Sequence, residues 1–289
     1  MKKHSITLFI ISALLVFSLV PSISATENSC DSMIEQLVSY GLNRELFYGM
    51  AEVDICAIYN ELADKKIVFL GSDTFYLSDT LMQAHNGQAE TLGTIPESDL
   101  KFTVTKLANV TYDSPLGCDK INKMYVYIDY IWSEGDPLVA RTDGITVNWD
   151  SSVFTFESNS FVSKDYKRVM SQNWDWKQTN ETHAPASLNT GGLGYYVPLV
   201  YGEPNAGGIQ VAPKQHKGTA YFTLLPTRNP MYLKSGSMTT SINAVYLHNQ
   251  NIGLGSSVSF SYKGLGVSVS VPMLSNSLSA STNVFYALN

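Results

Sequence analysis

The sequence has few charged residues and lacks the motifs that mark metal, nucleotide and nucleophilic chemistry. Charged side chains make up 15% of the 289 residues, and the formal net charge is −6. An acidic chain without a basic cluster lacks the electrostatic footprint of a nucleic-acid-binding protein. No HExxH or Cys/His spacing predicts a zinc site, and no G-x-S-x-G elbow predicts a serine nucleophile. We therefore expect no nucleic-acid partner, and the sequence indicates no metal, no cofactor and no catalytic residue. His216 has Lys214 and Lys217 as near neighbours in the sequence, and we expect it in a solvated loop.

Long apolar runs are also absent, apart from one at the start of the chain. Lys2 and Lys3 precede an apolar run over residues 6–20, and small residues follow it up to Ala25. This pattern is typical of a secretory signal peptide, and the run is shorter than the roughly 20 residues that a membrane-spanning helix needs. We expect cleavage after Ala25, a secreted, extracellular mature protein, and no transmembrane segment after cleavage.

Only three cysteines are present, and all three follow the predicted cleavage site. Export favours disulfide formation. Cys30 precedes the first predicted helix and Cys56 lies within the second, so the sequence favours a Cys30–Cys56 disulfide, with Cys118 left over. A Cys56–Cys118 disulfide and three free thiols are the alternatives.

Helical periodicity is confined to the start of the predicted mature chain. Apolar residues recur at helical spacing over residues 31–40 and 45–63, and Gly41 separates the two segments. Ser32 and Glu35 have the spacing of a capping box at the beginning of the first helix. The sequence therefore predicts a small helical hairpin over residues 26–66.

Beyond residue 66, side chains alternate with the two-residue period of β-strands. Over residues 126–132 the even positions are apolar or aromatic and predict a core face, whereas the odd positions place Asp129 beside tyrosines and predict a half-solvated face. Two short strands are expected at residues 67–70 and 74–77, around Gly71. Short alternating runs separated by turn residues are typical of a sandwich or barrel. We predict a mainly β fold: an antiparallel β-sandwich, Ig-like or jelly-roll-like, over residues 67–289, with a sub-boundary near residue 120 as an alternative.

The C-terminal segment has almost no charge: Lys263 is the one charged side chain of residues 235–289. On both sides of Lys263, apolar residues alternate with serine or glycine. A hairpin that pairs Tyr262 with Leu265 and Val258 with Val269 matches every apolar residue with another, and a slip by one residue would destroy the match. The same alternation suits strands that insert into a membrane, but each arm of about seven residues is shorter than the roughly 9–11 residues that a spanning strand needs.

The runs YIDYIW and TDGITVNWDSSVFTF, followed by a Tyr-Leu-His strand and the Ser/Val hairpin, resemble a group of uncharacterised secreted proteins of Gram-positive bacteria. The similarity extends from about residue 124 to the C-terminus. It implies export and an all-β body, and it implies no site residues.

Two tryptophans are the candidate ligand-binding residues. Trp174 and Trp176 share one face of an extended segment, and their neighbours are polar. A pair of exposed aromatic rings stacks on sugars or anchors a protein partner. The alternative is that both rings fill the core of the sandwich. Trp132 and Trp149 fall on core positions and are predicted to be structural.

These patterns favour a secreted, non-enzymatic β-sandwich protein that binds a cell-wall glycan or an extracellular protein. One alternative is a secreted hydrolase acting on glycan or peptide, for which Glu134, Asp136, Glu157 and Asp175 are candidate carboxylates without a marked pair. The second alternative is a membrane-active, pore-forming protein.

Overall fold

The structure is a computed structural model, and it describes residues 29–76, 100–132, 141–168, 175–199, 203–204, 210–211, 215–228, 230–233, 238–249, 258–262, 265–269 and 275–288. Its helical elements are α1 (Cys30–Ser39), the 3₁₀ turn η1 (Arg44–Phe47) and α2 (Glu52–Leu62). The strands are β1 (Lys66–Tyr76), β2 (Leu100–Asp113), β3 (Cys118–Trp132), β4 (Arg141–Asn148), β5 (Phe154–Phe156), β6 (Val162–Arg168), β7 (Trp176–Thr182), β8 (Ser187–Asn189), β9 (Gly192–Leu199), β10 (Glu203–Pro204), β11 (Gln210–Val211), β12 (Gln215–Pro226), β13 (Met231–Leu233), β14 (Met238–Asn249), β15 (Val258–Tyr262), β16 (Leu265–Val269) and β17 (Ser275–Leu288). Among the described residues, no helix is long and apolar enough to cross a membrane.

Thirteen of the described strands form one antiparallel sheet that folds over on itself. The strand order is β7-β6-β12-β3-β13-β17-β14-β4-β9-β8; β1 and β2 extend it beside β3, and β5 pairs with β12. We call β1, β2, β3, β5, β6, β7 and β12 the cap-side sheet, and β4, β8, β9 and β14 the far sheet; β13 and β17 connect them. Buried side chains of both sheets form one core cluster. The predicted antiparallel β-sandwich, preceded by a helical pair, is confirmed.

The core lies where the alternation of side chains predicts it. The even positions of residues 126–132 are at most 3% exposed and pack against apolar residues of β4, β9 and β14. Trp132 donates a hydrogen bond from Nε1 to Tyr246 Oη at 3.1 Å across the core, and the Trp149 ring lies 5.9 Å from that of Phe222. Both tryptophans are therefore structural, as predicted.

The opposite face of β3 is half-solvated only at one end, where Asp129 and Ile131 are half-buried. Tyr125 and Tyr127 are 3% and 2% exposed, in a second apolar cluster with Leu37 of α1 and Leu62 of α2. The helices cover this face of the cap-side sheet, so the molecule has three layers, with the helical cap outside the sandwich. The prediction is therefore wrong only for the two tyrosines, because alternation shows which residues share a face and not what covers it.

The helical cap begins and breaks at positions that differ from the predicted ones. The N-cap of α1 is Ser29, whose side chain accepts a hydrogen bond from Ser32 N at 3.3 Å, so Ser32 is not the cap. The expected second helix is split into η1 and α2. Gly49 lies between them with φ of +71°, a conformation that an α-helix cannot contain.

The two short strands expected around Gly71 are one continuous strand, β1, paired with β2 along its length. The pairing register shifts between Phe69 and Gly71, and Gly71 has φ of +131°. This is the geometry of a β-bulge, in which a glycine bends a strand without ending it. Gly71 therefore marks a bulge within one strand and not a turn between two strands.

The predicted C-terminal hairpin is confirmed residue by residue. β15 and β16 pair Tyr262 with Leu265, Phe260 with Val267, and Val258 with Val269. The two-residue period of the sequence was sufficient to determine this register.

Candidate functional site

A groove of about 360 Å³ opens between α2 and the outer face of the cap-side sheet. Its floor comes from β3 and β12, one wall from α2, and the other wall from the turn over residues 157–160 that follows β5. This volume lies within the range of pockets that hold small molecules or short segments of a polymer. The groove forms because the apolar side chains of α2 pack on β3. The exposed side of the helix then rises above the strands and forms a wall.

The floor of the groove is aromatic. Tyr127 of β3 and Tyr221 of β12 are paired across the two strands, and their rings lie 5.9 Å apart at an angle of 33°. Tyr127 is buried, whereas Tyr221 is half-buried. Burial raises the pKa of both phenols, so both stay neutral at physiological pH. Tyr221 is the ring that the groove offers to a ligand.

A fixed ion pair forms one side of the groove. Lys123 Nζ donates to both carboxylate oxygens of Glu157, at 2.7 and 2.9 Å. The turn that carries Glu157 is held to β12, because Glu157 N donates to Thr223 O and Thr223 N donates to Ser160 Oγ, both at 3.0 Å. About a third of the Lys123 and Glu157 side chains is exposed. This side therefore presents oriented polar atoms to solvent.

Glu61 of α2 lies on the opposite side of the groove. Its carboxylate accepts hydrogen bonds from Tyr125 Oη and Lys65 Nζ, both at 2.8 Å. Burial acts to raise the pKa of Glu61, but the hydrogen bonds from Lys65 and Tyr125 outweigh it and leave the pKa below its ordinary value. Glu61 is therefore ionised at neutral pH and serves as a hydrogen-bond acceptor.

Two carboxylates thus line one groove, as they would in a glycosidase, but Glu61 is unsuited to the acid role. The general acid of a glycosidase needs a raised pKa, so that it still holds a proton at working pH. The environment of Glu61 has the opposite effect. Glu61 is therefore better suited to accept hydrogen bonds from a ligand than to donate a proton to it. The other candidate carboxylates do not join the groove: Asp175 is exposed elsewhere, and Glu134 and Asp136 lie outside the described residues.

The predicted tryptophan pair does not form this site. Trp174 lies outside the described residues, and Trp176 is half-buried at the start of β7, away from the residues that line the groove. The chain at Gly49 packs directly on Trp176: a Cβ at Gly49 would lie 2.1 Å from Trp176 Cβ. Trp176 therefore holds the cap in place, and its role in ligand binding remains a prediction.

A buried lysine, Lys217, lies over the ring of Trp176. Lys217 is 5% exposed, and its Nζ lies 5.9, 5.1 and 5.2 Å from the ring centres of Tyr48, Tyr166 and Trp176. Nζ also donates to Glu45 O at 3.1 Å. Burial lowers the pKa of Lys217 to about 7, against the attraction of acidic neighbours. A cation–π cluster of this kind stabilises the contact between cap and sheet.

Next to Lys217 there is no room for a ligand. The adjoining cavity, lined by Asp129 and Lys217 among others, has a volume of about 10 Å³, which is the space of a single water molecule. Burial raises the pKa of Asp129 to about 7 despite the opposing attraction of Lys101. We therefore assign this cluster to the attachment of the cap.

The expected Cys30–Cys56 disulfide is not formed. Cys30, Cys56 and Cys118 are free thiols, and Cys56 Sγ lies 3.8 Å from Met33 Sδ in the contact between α1 and α2. Cys56 thus contacts the sulfur of Met33, one helical turn after Cys30, and not the sulfur of Cys30.

Contrary to the expectation from the sequence, His216 does not lie in a solvated loop. It lies in β12 and is 3% exposed. Within the described ranges, no three His, Cys, Asp or Glu side chains come together as a metal site.

Comparison with known proteins adds weak structural likenesses. No family model matches the chain, and no curated protein matches it. Among solved structures, the collagen-binding domain of a Staphylococcus aureus adhesin is 7% identical, over 55% of this chain and 87% of that chain, with a TM-score of 0.27. A xylan-binding module is 10% identical, over 57% and 98%, with a TM-score of 0.21. The membrane-inserted NetB toxin of Clostridium perfringens is 11% identical, over 76% and 97%, with a TM-score of 0.24. At such TM-scores these likenesses carry no argument about function.

Proposed function

We propose that the protein is exported and binds an extracellular glycan, such as one of the cell wall, in the groove between α2 and the cap-side sheet. The observation that carries the proposal is the combination of an aromatic floor with an ion pair on each side, Lys123 with Glu157 and Lys65 with Glu61. A sugar ring has one apolar face that stacks on an aromatic ring and a rim of hydroxyls that needs donors and acceptors. Tyr221 supplies the first, and Lys123, Glu157 and Glu61 supply the second.

The proposal favours binding without conversion of the glycan. The groove keeps Glu61 ionised, and the Glu157 carboxylate is occupied by Lys123. A ligand in this groove therefore meets hydrogen-bond partners whose charges are already balanced. Such a site holds a neutral polymer without the cost of burying an unpaired charge.

The test is binding of the purified protein to a glycan array and to isolated cell walls, followed by calorimetry with the best glycan. We expect Tyr221→Ala to weaken binding about tenfold or more, because an aromatic contact at the centre of a site contributes on the order of 1–3 kcal/mol. The matched control is Tyr196→Ala, which removes an exposed tyrosine of the far sheet and should leave affinity unchanged.

Three results would contradict the proposal. Equal affinity of Tyr221→Ala and the wild type would move the site elsewhere, with the Trp174 region as the next candidate. Capture of a protein in place of any glycan would change the class of ligand. Release of new reducing ends from a bound glycan would make the protein a hydrolase. Export is checked separately, by sequencing the N-terminus of the protein recovered from the culture medium, which we expect at Thr26.

A further inference from the structure

The groove has an apolar part and a polar part, which follow each other along β12. In the apolar part, Tyr221 of β12 is paired with Val162 of β6 on one side and with Tyr127 of β3 on the other. Directly paired residues lie side by side on one face of a sheet, so these three side chains form one apolar row across three strands. All three line the groove.

The polar part begins two residues further along β12, at Thr223. The partner of Thr223 on β3 is Tyr125, whose hydroxyl donates to Glu61 at 2.8 Å. On the other side, Ser160 Oγ accepts a hydrogen bond from Thr223 N. Two residues of a strand span about 7 Å, so a ligand that lies along β12 meets both parts of the groove at once.

The apolar row is accessible to a ligand and extends beyond the ring of Tyr221. Val162 and Tyr221 are half-buried, and Ala57, on the wall that α2 forms, is exposed. A hydroxyl group of a ligand placed against Val162 or Ala57 would lose its water without gaining a hydrogen-bond partner from either side chain. A methyl group at the same place would gain apolar contacts.

The polar part supplies an acceptor and a donor. Both hydrogen bonds that the described residues donate to the Glu61 carboxylate end on Oε1, which leaves Oε2 to accept from an N–H group of a ligand. The ammonium group of Lys123 has three N–H donors, and Glu157 accepts two hydrogen bonds from it. The third donor of Lys123 can bond to a carbonyl oxygen of a ligand.

We propose that the groove prefers glycans whose sugars carry an acetamido group, with the methyl group of this substituent against Val162 and Ala57 and its amide in the polar part. An acetamido group joins a methyl group to an N–H donor and a carbonyl acceptor, which is the sequence of chemistry that the groove presents along β12. The inference rests on the proposed function, since it names the class of glycan that the same groove binds.

The experiment compares two oligosaccharides that differ at one position of each sugar. Chitotetraose and cellotetraose have the same backbone and linkage, and chitotetraose carries an acetamido group where cellotetraose carries a hydroxyl. In calorimetry with the purified protein, we expect chitotetraose to bind at least about fivefold more tightly, of which one buried methyl group accounts for about fourfold. Equal affinity, or tighter binding of cellotetraose, overturns the inference and leaves the proposed function standing. Binding of neither, while another glycan of the array binds, overturns the inference alone; binding of no glycan overturns the proposed function with it.

A matched pair of variants tests the methyl contact. Val162→Thr replaces a methyl group of the groove by a hydroxyl of nearly the same size, and Val53→Thr makes the same change on α2 at a side chain that is 72% exposed and lies outside the groove lining. We expect Val162→Thr to reduce the preference for chitotetraose to about twofold or less and to bind cellotetraose as the wild type does, whereas Val53→Thr keeps the full preference. An unchanged preference in Val162→Thr overturns the proposal. The comparison of the two tetrasaccharides on the wild type stands even where a variant fails to fold.

Two kinds of polymer carry such sugars: chitin-like chains and the glycan strands of peptidoglycan, in which every second sugar also carries a carboxylate-bearing ether. A peptidoglycan tetrasaccharide is the third ligand of the titration. Binding as tight as that of chitotetraose assigns the groove to peptidoglycan strands, and weaker binding assigns it to chitin-like chains. Either result supports the acetamido preference when both ligands bind more tightly than cellotetraose.

Discussion

Asp165 of β6 is a carboxyl group whose ionisation the fold opposes. The residue is 3% exposed. Tyr130 Oη donates to its Oδ1 at 2.8 Å, and Asn180 Nδ2 donates to its Oδ2 at 2.9 Å. Burial nevertheless raises the pKa of Asp165 to about 6, because the two hydrogen bonds and the attraction of His216 only partly offset the loss of water. The folded protein therefore binds a proton here more tightly than the unfolded chain does.

The sign and size of the effect on stability follow by linkage. The ordinary aspartate pKa is about 3.9, so the folded state loses stability as the pH rises above about 4, and the loss is complete above the folded-state pKa of about 6. This cost is fully absent only below about pH 4. It amounts to about 3 kcal/mol at pH 7 and to about 1.5 kcal/mol at pH 5. Acidification from pH 7 to pH 5 should thus return about 1–1.5 kcal/mol of stability through this one residue.

The perturbation that isolates this effect is Asp165→Asn, since asparagine has nearly the same shape and does not titrate. The free energy of unfolding of the variant and the wild type is measured in urea at several pH values. We expect the difference between them to change by about 1–1.5 kcal/mol from pH 7 to pH 5, in favour of the wild type. Any offset from rearranged hydrogen bonds is the same at every pH and cancels. Asp175→Asn, at an exposed carboxyl, is the control and should run parallel to the wild type. A difference for Asp165→Asn that does not depend on pH would refute the reasoning.

Two further predictions concern the packing around the same core. Gly218→Ala should cost about 1–3 kcal/mol, because a Cβ there would lie 2.2 Å from Tyr130 Cε1; unchanged urea denaturation would show that the ring moves aside freely. Tyr246→Phe should lower the free energy of unfolding by about 1–3 kcal/mol, because the lost hydroxyl donates to Asp143 at 2.7 Å and accepts from Trp132. An unaltered melting temperature for that variant would show that this buried network contributes little.

The sandwich was predictable from the sequence because its strands obey a strict two-residue period. The even positions of residues 126–132 are all buried, and the hairpin register follows from matching Tyr262 with Leu265. In both places, a shift by one residue would expose a whole row of apolar side chains, so a single arrangement satisfies the pattern.

The helical cap was only partly predictable, for a reason that lies in the glycines. The sequence placed Gly49 inside a helix and Gly71 between two strands, yet Gly49 separates η1 from α2 and Gly71 only bends β1. Glycine permits a positive φ but does not dictate the course of the chain on either side. In β1, continued pairing with β2 decides the outcome, and that is a contact between distant parts of the chain.

The groove could not be predicted from any local pattern. Glu61, Lys123, Glu157 and Tyr221 come from four separate elements spread over 160 residues of the chain, and none of them stands in a motif. The signal available was the polar-aromatic face of β3, with Tyr127 on it. The sequence indicated that this face differs from the core, but only the packing of α2 turns it into a concave surface.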